Sequence, residues 1–347
     1  MKRNLLFGGM SATLLAFMVL GCASTEMLAI REQGAFSAGG VVISTEGNFD
    51  PHIPFFQPQG GQTRHGDHAD VFYQIPVNAK PYSMVFLHGA GQSRRTWQTT
   101  SDGREGFQNI FLKKGYSVYL VDQPRRGDAG QSTVSTRIDA TPDDQVWFTQ
   151  FRIGPWPDFY EGVQFPRDEK SLDQFFRQMT PNTGDFDEEL ISDGIAAVFD
   201  KAGPGILFTH SQGGGPGWQT AIKNEKVKAV IALEPAGFPL PREENSENPQ
   251  SISMDDFVKL TKIPIIIYFG DNIPANETAL FAQNFWRMVL NAAKEWAETV
   301  NRYGGDVTVV HLPEIGITGN THFIMSDLNN QVVAEHIAHW LDEKGLK

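Results

Sequence analysis

The residues that decide the fold are Gly205-Ile-Leu-Phe-Thr-His-Ser211-Gln-Gly-Gly-Gly-Pro-Gly217, an apolar run that ends in a serine among small residues. Gly205 to Phe208 predict a short buried strand, and the glycines after Ser211 allow a tight reversal before a helix that we expect to begin near Trp218. Such a strand-turn-helix lifts a serine hydroxyl above a sheet edge, close to the free N–H groups of a helix N-terminus. A serine among glycines is also common in ordinary turns, so the rest of the chain must decide between a nucleophile and a turn.

Strand-like and helix-like segments alternate on both sides of this stretch. Alternation of this kind predicts parallel strands joined by right-handed crossovers. We predict strands over residues 41–44, 71–77, 83–87, 116–121, 205–209, 227–233, 264–269 and 306–312, and helices over residues 107–114, 185–201, 218–224, 278–303 and 329–344. The sequence therefore predicts an α/β fold with a mostly parallel central sheet flanked by helices.

Residues 133–186 interrupt the alternation with many aromatic side chains among prolines and acidic groups. A structureless loop of this length is improbable in a compact domain. We predict that the insertion is a lid that supplies an apolar wall to a pocket. The alternative is that its aromatic residues only pack the insertion on itself.

Polar side chains follow several predicted strands, at the edge of a parallel sheet where ligands bind. His88-Gly89-Ala90-Gly91 follows the strand at 83–87, and N–H groups there can face a developing negative charge. His322 is the histidine of the loop after the last predicted strand, whereas the others precede or adjoin Ser211, lie within a strand or sit on the last helix. Elimination therefore assigns His322 as the base that takes the proton of Ser211.

Two carboxylates are candidates for the acid that orients His322. Asp271 follows the strand at 264–269, and Glu234 follows the strand at 227–233. Pro235 fixes the strand end at Glu234, and the extra methylene of a glutamate helps it reach a neighbouring strand. Either carboxylate is also compatible with a capping or salt-bridging role, so the residues alone leave the choice open.

One combination of segments resembles a group of secreted bacterial α/β-hydrolase esterases with a Ser-Glu-His triad, over roughly residues 40–347. The segments are His88-Gly89-Ala90, Thr209-His-Ser211-Gln-Gly, Leu233-Glu234-Pro235 and Asn320-Thr-His322-Phe. The resemblance implies the α/β-hydrolase fold, with the insertion after the fourth strand of that fold, which is the predicted strand at 116–121 here. It also implies Glu234 rather than Asp271 as the acid. The chain departs from the group's pattern at Thr209, where Gly-x-Ser-x-Gly has its first glycine, and at Ala90, where His-Gly-Gly-Gly has a glycine.

The function that follows is hydrolysis of a small-molecule ester through an acyl-enzyme on Ser211. The N–H groups of Ala90 and Gln212 would bind the oxyanion, and no metal or organic cofactor is expected. A non-catalytic binding module on the same fold, an acyltransferase and a peptidase are the alternatives. His65-Gly-Asp-His-Ala-Asp70 contains metal-ligand residue types, but no recognisable spacing completes a ligand set, so a solvated turn is expected there.

The N-terminus has the pattern of an export signal. Basic residues precede an apolar run of about 16 residues, Leu5 to Leu20, which is short for a membrane span and suits a signal peptide. Val19-Leu-Gly-Cys22 resembles the lipobox of bacterial lipoproteins, and Cys22 is the only cysteine of the chain. We predict a signal peptide at 1–21, lipidation of Cys22, a flexible tether at 22–37 and a hydrolase domain at 38–347, exported and lipid-anchored to the periplasmic or outer-membrane face of the cell envelope. An ordinary signal peptide with an incidental cysteine is the alternative.

The net charge of the chain limits the kinds of partner that it can bind. The formal net charge is −12 over 347 residues, and cleavage before Cys22 would make it −14 by removing Lys2 and Arg3. An acidic chain without a basic stripe lacks the groups that neutralise phosphates, so we expect no nucleic-acid partner.

Overall fold

The computed structural model describes residues 27–55, 59–242 and 251–347. The predicted signal peptide and Cys22 lie outside the described residues. Within those residues the strands are β1 (Ile30–Ala38), β2 (Val41–Ser44), β3 (Thr63–Gly66), β4 (Ala69–Pro76), β5 (Ser83–Leu87), β6 (Val118–Asp122), β7 (Gly205–His210), β8 (Val227–Leu233), β9 (Leu240–Pro241), β10 (Ser251–Ile252), β11 (Pro264–Phe269) and β12 (Asp306–His311). The α-helices there are α1 (Phe107–Lys113), α2 (Asp144–Gln150), α3 (Glu169–Phe176), α4 (Glu188–Ala202), α5 (Gly214–Lys223), α6 (Met254–Leu260), α7 (Phe281–Arg302) and α8 (Asn330–Glu343).

The central sheet, as far as the chain is described, has eight strands in the order β1-β4-β6-β5-β7-β8-β11-β12. Strands β6, β5, β7, β8, β11 and β12 pair in parallel, and β4 is antiparallel to both of its neighbours. Parallel neighbours require crossover connections, which the helices supply. The predicted mostly parallel α/β sheet is confirmed, and its parallel strands end at one edge.

Both faces of the sheet are covered by helices. Along β5, Met84 and Phe86 point into a core formed with α1 and α8, whereas Val85 and Leu87 point into a core formed with α4, α5, α6 and α7. Because both faces are buried, the inner strands are continuous apolar runs rather than alternating ones. None of the helices in the three described ranges is both long and apolar enough to cross a bilayer.

The predicted tether ends earlier than expected. Residues Ile30–Ala38 form β1, which pairs along its length with β4 at the edge of the sheet. The ring of Phe36 lies against Tyr73 and Tyr119, with ring centroids 6.0 and 6.4 Å away. Backbone pairing and this aromatic contact place residues 30–37 in the domain, so that part of the tether assignment is wrong.

The segment after β1 also differs from its prediction. Val41–Ser44 is a strand, but it pairs with Thr63–Gly66 in a separate two-stranded sheet. Asp67, expected in a solvated turn, is buried and accepts two bonds from Arg125, at 2.9 Å from Nε and 3.0 Å from Nη2. The ion pair compensates for the loss of water at the carboxylate, which is why the turn can be buried.

The insertion at 133–186 packs on the domain. It contains α2 and α3, and its Phe148, Phe165 and Phe175 belong to the same core as α1 and α8. Its aromatic residues therefore pack against the sheet domain as well as against each other. The segment also reaches the carboxyl edge of the sheet. The lid role stays a prediction.

Two helix starts were misplaced. α5 begins at Gly214, before Trp218, and α4 begins at Glu188 rather than at residue 185. Asp187 caps α4, and its carboxylate accepts from the N–H of Leu190 at 3.1 Å.

Candidate active site

The turn after β7 holds Ser211 in a strained conformation. Ser211 has a φ of 53°, in the left-handed region that serine rarely adopts, and it begins a short 3₁₀ turn that leads into α5. The residue is buried, with 8% of its surface exposed, and it follows a strand that is buried along its length. A non-glycine residue keeps such a conformation only where its surroundings enforce it, and functional sites are where such residues cluster.

The threonine at the first position of the turn pattern is accommodated by a glycine on α5. A Cβ atom at Gly217 would lie 2.5 Å from Cγ2 of Thr209, which is closer than real atoms approach. Glycine at 217 therefore makes room for the larger residue at 209. This explains how the strand-turn-helix forms although the usual first glycine is absent.

His322 and Glu234 form a buried pair beside this turn. Nδ1 of His322 lies 2.6 Å from Oε2 of Glu234, and both residues are almost completely buried. Glu234 has a φ of 48°, so the strand end after β8 is strained as well. The His322 ring lies 4.5 Å from the ring of His210, the residue before Ser211, and its Nε2 has no hydrogen-bond partner among the described residues.

The charges of this pair are set by burial and by a neighbouring cation. Burial alone would raise the pKa of Glu234, but Arg152 and His322 outweigh burial and lower that pKa to about 2. Burial lowers the pKa of His322 below 6.5, against the opposing effect of Glu234. At neutral pH the arrangement is thus a carboxylate that accepts from Nδ1–H and a neutral ring with a free lone pair on Nε2, as a general base requires.

The carboxylate of Asp271 binds backbone N–H groups and not His322. Its Oδ2 accepts from the N–H of Gly319 at 2.7 Å, and its Oδ1 accepts from the N–H of Asn272 at 2.6 Å. Its own N–H donates to the carbonyl of Asn320 at 2.7 Å. Of the two candidate acids, the structure brings Glu234 to His322 and uses Asp271 to brace the loop that carries His322.

The loop after β5 lies against Ser211. A Cβ atom at Gly89 would be 2.7 Å from Cβ of Ser211, so only glycine allows this approach. Nη1 of the buried Arg126 donates to the carbonyl of Gly89 at 2.7 Å, and because the Gly89–Ala90 peptide is trans, the N–H of Ala90 points the opposite way. In the described part of the chain neither the N–H of Ala90 nor that of Gln212 has an acceptor. The loop after β5 and the turn before α5 therefore each carry a backbone N–H without an acceptor among the described residues, at Ala90 and at Gln212.

A second histidine links this loop to the loop of His322. Burial lowers the pKa of His210 well below 6.5, so its ring is neutral. Its Nε2 lies 2.9 Å from the carbonyl oxygen of His322, and its Nδ1 lies 2.9 Å from Oε1 of Gln92. Both oxygens are acceptors and a neutral imidazole carries a single N–H, so the ring donates to one of them. His210 was considered in the sequence only as a neighbour of the serine, and no signal there indicated that it ties the two loops together.

The insertion supplies contacts that the sequence did not reveal. The ring of Phe151 stacks on His322, with centroids 4.5 Å apart, and the carbonyl of Phe151 accepts from the N–H of His322 at 3.0 Å. Trp286 of α7 lies against the same imidazole, with centroids 4.3 Å apart. Arg152 binds Oε1 of Glu234. The residues lie far apart along the chain, and only the folded topology brings them together.

Known proteins resemble this chain in sequence and in fold. A family model described as the alpha/beta hydrolase family matches residues 84–343, a range that contains Ser211, Glu234 and His322. A probable secreted lipase from a fungal species is 29% identical over 317 residues, which cover 78% of this chain and 84% of the lipase. A solved structure described as a novel bacterial esterase is 29% identical, covers 91% of this chain and 97% of its own, and superposes with a TM-score of 0.75.

Proposed function

Since the chain belongs to the α/β-hydrolase family, we propose that it is a serine carboxylic-ester hydrolase that acts through an acyl-enzyme on Ser211. The observation that carries the proposal is the buried pair of His322 and Glu234, joined at 2.6 Å beside the strained turn of Ser211. Similarity to proteins described as a lipase and as an esterase supports an ester as the substrate.

The reaction follows from the groups at the site. Oγ of Ser211 attacks the ester carbonyl while its proton moves to Nε2 of His322, and the carboxylate of Glu234 stabilises the imidazolium that forms. The oxyanion accepts hydrogen bonds from the N–H groups of Ala90 and Gln212. The alcohol leaves with the proton from Nε2, after which water attacks the acyl group and Ser211 regains its proton by the same route.

Replacing the nucleophile tests the proposal. Ser211→Ala should reduce turnover of an activated ester such as p-nitrophenyl acetate by about 10⁶-fold, since removal of the nucleophile of such a triad costs about that much. A fluorophosphonate probe should label the wild type at Ser211 and leave the variant unlabelled. Ser44→Ala, on the exposed β2, is the matched control and should behave as wild type. A Ser211→Ala protein with the wild-type rate would exclude the mechanism.

The same experiment separates the alternatives. A binding module would leave the wild type unreactive toward the probe. A peptidase would cleave amides as readily as esters, and an acyltransferase would divert the acyl group to added alcohols in preference to water. We expect ester cleavage with water as the main acceptor.

We further propose that the enzyme is exported and anchored by a lipid on Cys22. The basic start, the apolar run from Leu5 to Leu20 and the lipobox-like Val19-Leu-Gly-Cys22 support this, as does the description of a relative as secreted. Cys22→Ser should move the enzyme from the membrane fraction to the soluble fraction. Wild-type enzyme found in the soluble fraction with residues 1–21 intact would contradict the proposal.

A further inference from the structure

We propose that Arg152, contributed by the aromatic insertion, is a positioning residue that holds the Glu234 carboxylate in the orientation that binds His322. The inference rests on the proposed function, because it concerns the same site. It gives the insertion a part in the acid–base machinery in addition to the predicted role as a lid.

Arg152 is built into the site on several sides. It is completely buried and has a φ of 61° at the end of the turn that follows α2. Its Nη2 donates to Oε1 of Glu234, its Nε donates to the carbonyl of Asp271 at 2.8 Å, and its Cζ lies 5.0 Å from the ring centre of Trp286. The guanidinium thus joins the ends of β8 and β11 to α7, which fixes its own position.

The two oxygens of Glu234 are divided between different partners. Oε1 accepts from Arg152 and from the N–H of Gly270, the latter at 2.6 Å. Oε2 is left to Nδ1 of His322, at 2.6 Å. With one oxygen held by two donors, the carboxylate cannot rotate away from the imidazole, and the imidazole keeps the tautomer with its lone pair on Nε2.

The positive charge of Arg152 also acts on the protonation of the pair. It keeps the buried Glu234 ionised and lowers the pKa of His322 together with burial. The other titratable groups that face the pair are His210, which is neutral, and Asp327, which is buried under the loop of His322. Without the guanidinium, burial raises the pKa of Glu234, and the Glu234–His322 pair takes up a proton at higher pH.

The test is the pH dependence of kcat/KM for a neutral activated ester. In wild type the acid limb should lie below pH 6.5, because His322 must be neutral to accept a proton. Arg152→Met should lower kcat/KM at pH 7 by about 10²-fold, since misplaced catalytic groups cost about that much. It should also move the acid limb upward by about one pH unit or more, the effect expected for loss of a neighbouring charge.

Conservative and distant variants give the controls. Arg152→Lys keeps the positive charge but loses the planar guanidinium with its paired N–H donors. The acid limb should therefore stay at the wild-type pH, while kcat falls by a smaller factor than in Arg152→Met. Arg167→Met removes an exposed arginine of the same insertion, whose Nη2 donates to the carbonyl of Tyr160 at 3.0 Å, and should change neither quantity. Circular dichroism and thermal unfolding of each variant show that the folded enzyme is being compared.

The outcomes separate this inference from the proposed function. A folded Arg152→Met enzyme whose rate falls equally at all pH values, with an unmoved acid limb, would show that Arg152 only supports the fold. If that variant does not fold, Arg152→Lys decides, because a wild-type kcat with lysine at 152 would overturn the positioning role. Failure of the proposed function has a different signature, namely wild-type enzyme that neither cleaves esters nor reacts with a fluorophosphonate.

Discussion

Two buried arginines flank the proposed site, and they differ in the charge of their partners. On the acid side, Arg152 forms an ion pair with Glu234. On the oxyanion side, Arg126 binds neutral acceptors, the carbonyl of Gly89 at 2.7 Å and the side-chain oxygen of Asn182 at 2.6 Å from Nε. Burial lowers the pKa of Arg126 to about 10, with Asp122 opposing the decrease, so Arg126 remains charged at neutral pH.

The difference between the two arginines suggests that each would assist the proposed reaction in a different way. Where Arg152 meets Glu234 the two opposite charges form an ion pair, so this arginine holds the carboxylate in place and keeps it ionised. Where Arg126 meets Gly89, none of the carboxylates in the described residues forms an ion pair with the guanidinium. In the proposed mechanism its positive charge would polarise the Gly89–Ala90 peptide, whose N–H at Ala90 would face the developing oxyanion. Such a charge stabilises the transition state more than the neutral ester, which is the condition for raising kcat.

Of the two sides, the larger effect is expected on the acid side, when the charge of Glu234 is removed. Glu234→Gln should lower kcat by about 10³- to 10⁴-fold, because the imidazole loses the partner that selects its tautomer. Asp271→Asn should remain within about tenfold of wild type, because its carboxylate contacts backbone N–H groups and not His322. Steady-state kinetics on one activated ester compare the two. Loss of activity only in Asp271→Asn would show that Asp271, and not Glu234, is the acid.

The same variant tests whether the two charges compensate each other. Glu234→Gln leaves Arg152 buried without a counterion, which should cost about 3–5 kcal/mol of unfolding free energy. The double variant Glu234→Gln/Arg152→Met should regain most of that stability and none of the activity. Denaturant unfolding of the three proteins measures both effects, and a double variant less stable than Glu234→Gln would contradict the ion-pair interpretation.

A smaller effect is expected on the oxyanion side. Arg126→Met should lower kcat by about 10²-fold with little change in KM, because it releases the Gly89–Ala90 peptide from the orientation that aims one donor. Arg126→Lys should be intermediate. A raised KM with unchanged kcat would mean that Arg126 binds the substrate in its ground state and has no part in stabilising the oxyanion.

The neighbouring residue in the chain is a matched control for Arg126. Arg125 is also an arginine with little exposure, but its guanidinium faces Asp67 instead of the oxyanion loop. Arg125→Met should therefore lower the unfolding free energy while leaving kcat of the folded enzyme close to wild type. Equal losses of kcat in the two variants would attribute the effect of Arg126 to general destabilisation.

Local patterns were sufficient for the parts of the molecule that depend on near neighbours in sequence. The apolar run before Ser211, the strand before Glu234 and the helices that alternate with them follow from residues within each segment, and the parallel part of the sheet that they predict is observed. Elimination predicts His322 as the base because it is the histidine of the loop after the last strand. These inferences needed no knowledge of distant contacts.

The parts that were missed depend on contacts between distant segments. β1 contains the Gly, Ala, Ser, Glu and Gln residues that are typical of a linker, and only its pairing with β4 makes it a strand. Arg152 lies 82 positions before Glu234 and belongs to a segment with irregular spacing. Its contact with Glu234 becomes visible only when the insertion is packed against the edge of the sheet.

The smallest effect concerns the spacing of β7 and α5, the two elements that flank the turn of Ser211 and Gln212. Gly217→Ala introduces a methyl group 2.5 Å from Cγ2 of Thr209, an overpacking worth about 1–3 kcal/mol against a gain of up to about 1 kcal/mol in helix propensity. We expect a lower unfolding free energy and a change in kcat below about tenfold, with the acid limb of the pH profile unmoved because the contacts of Arg152 are untouched. Thr209→Ala in the same chain removes Cγ2 and should restore the lost stability. If the double variant is less stable than Gly217→Ala, the close approach of these two residues does not explain the threonine at position 209, and the spacing of the turn must be set by other contacts.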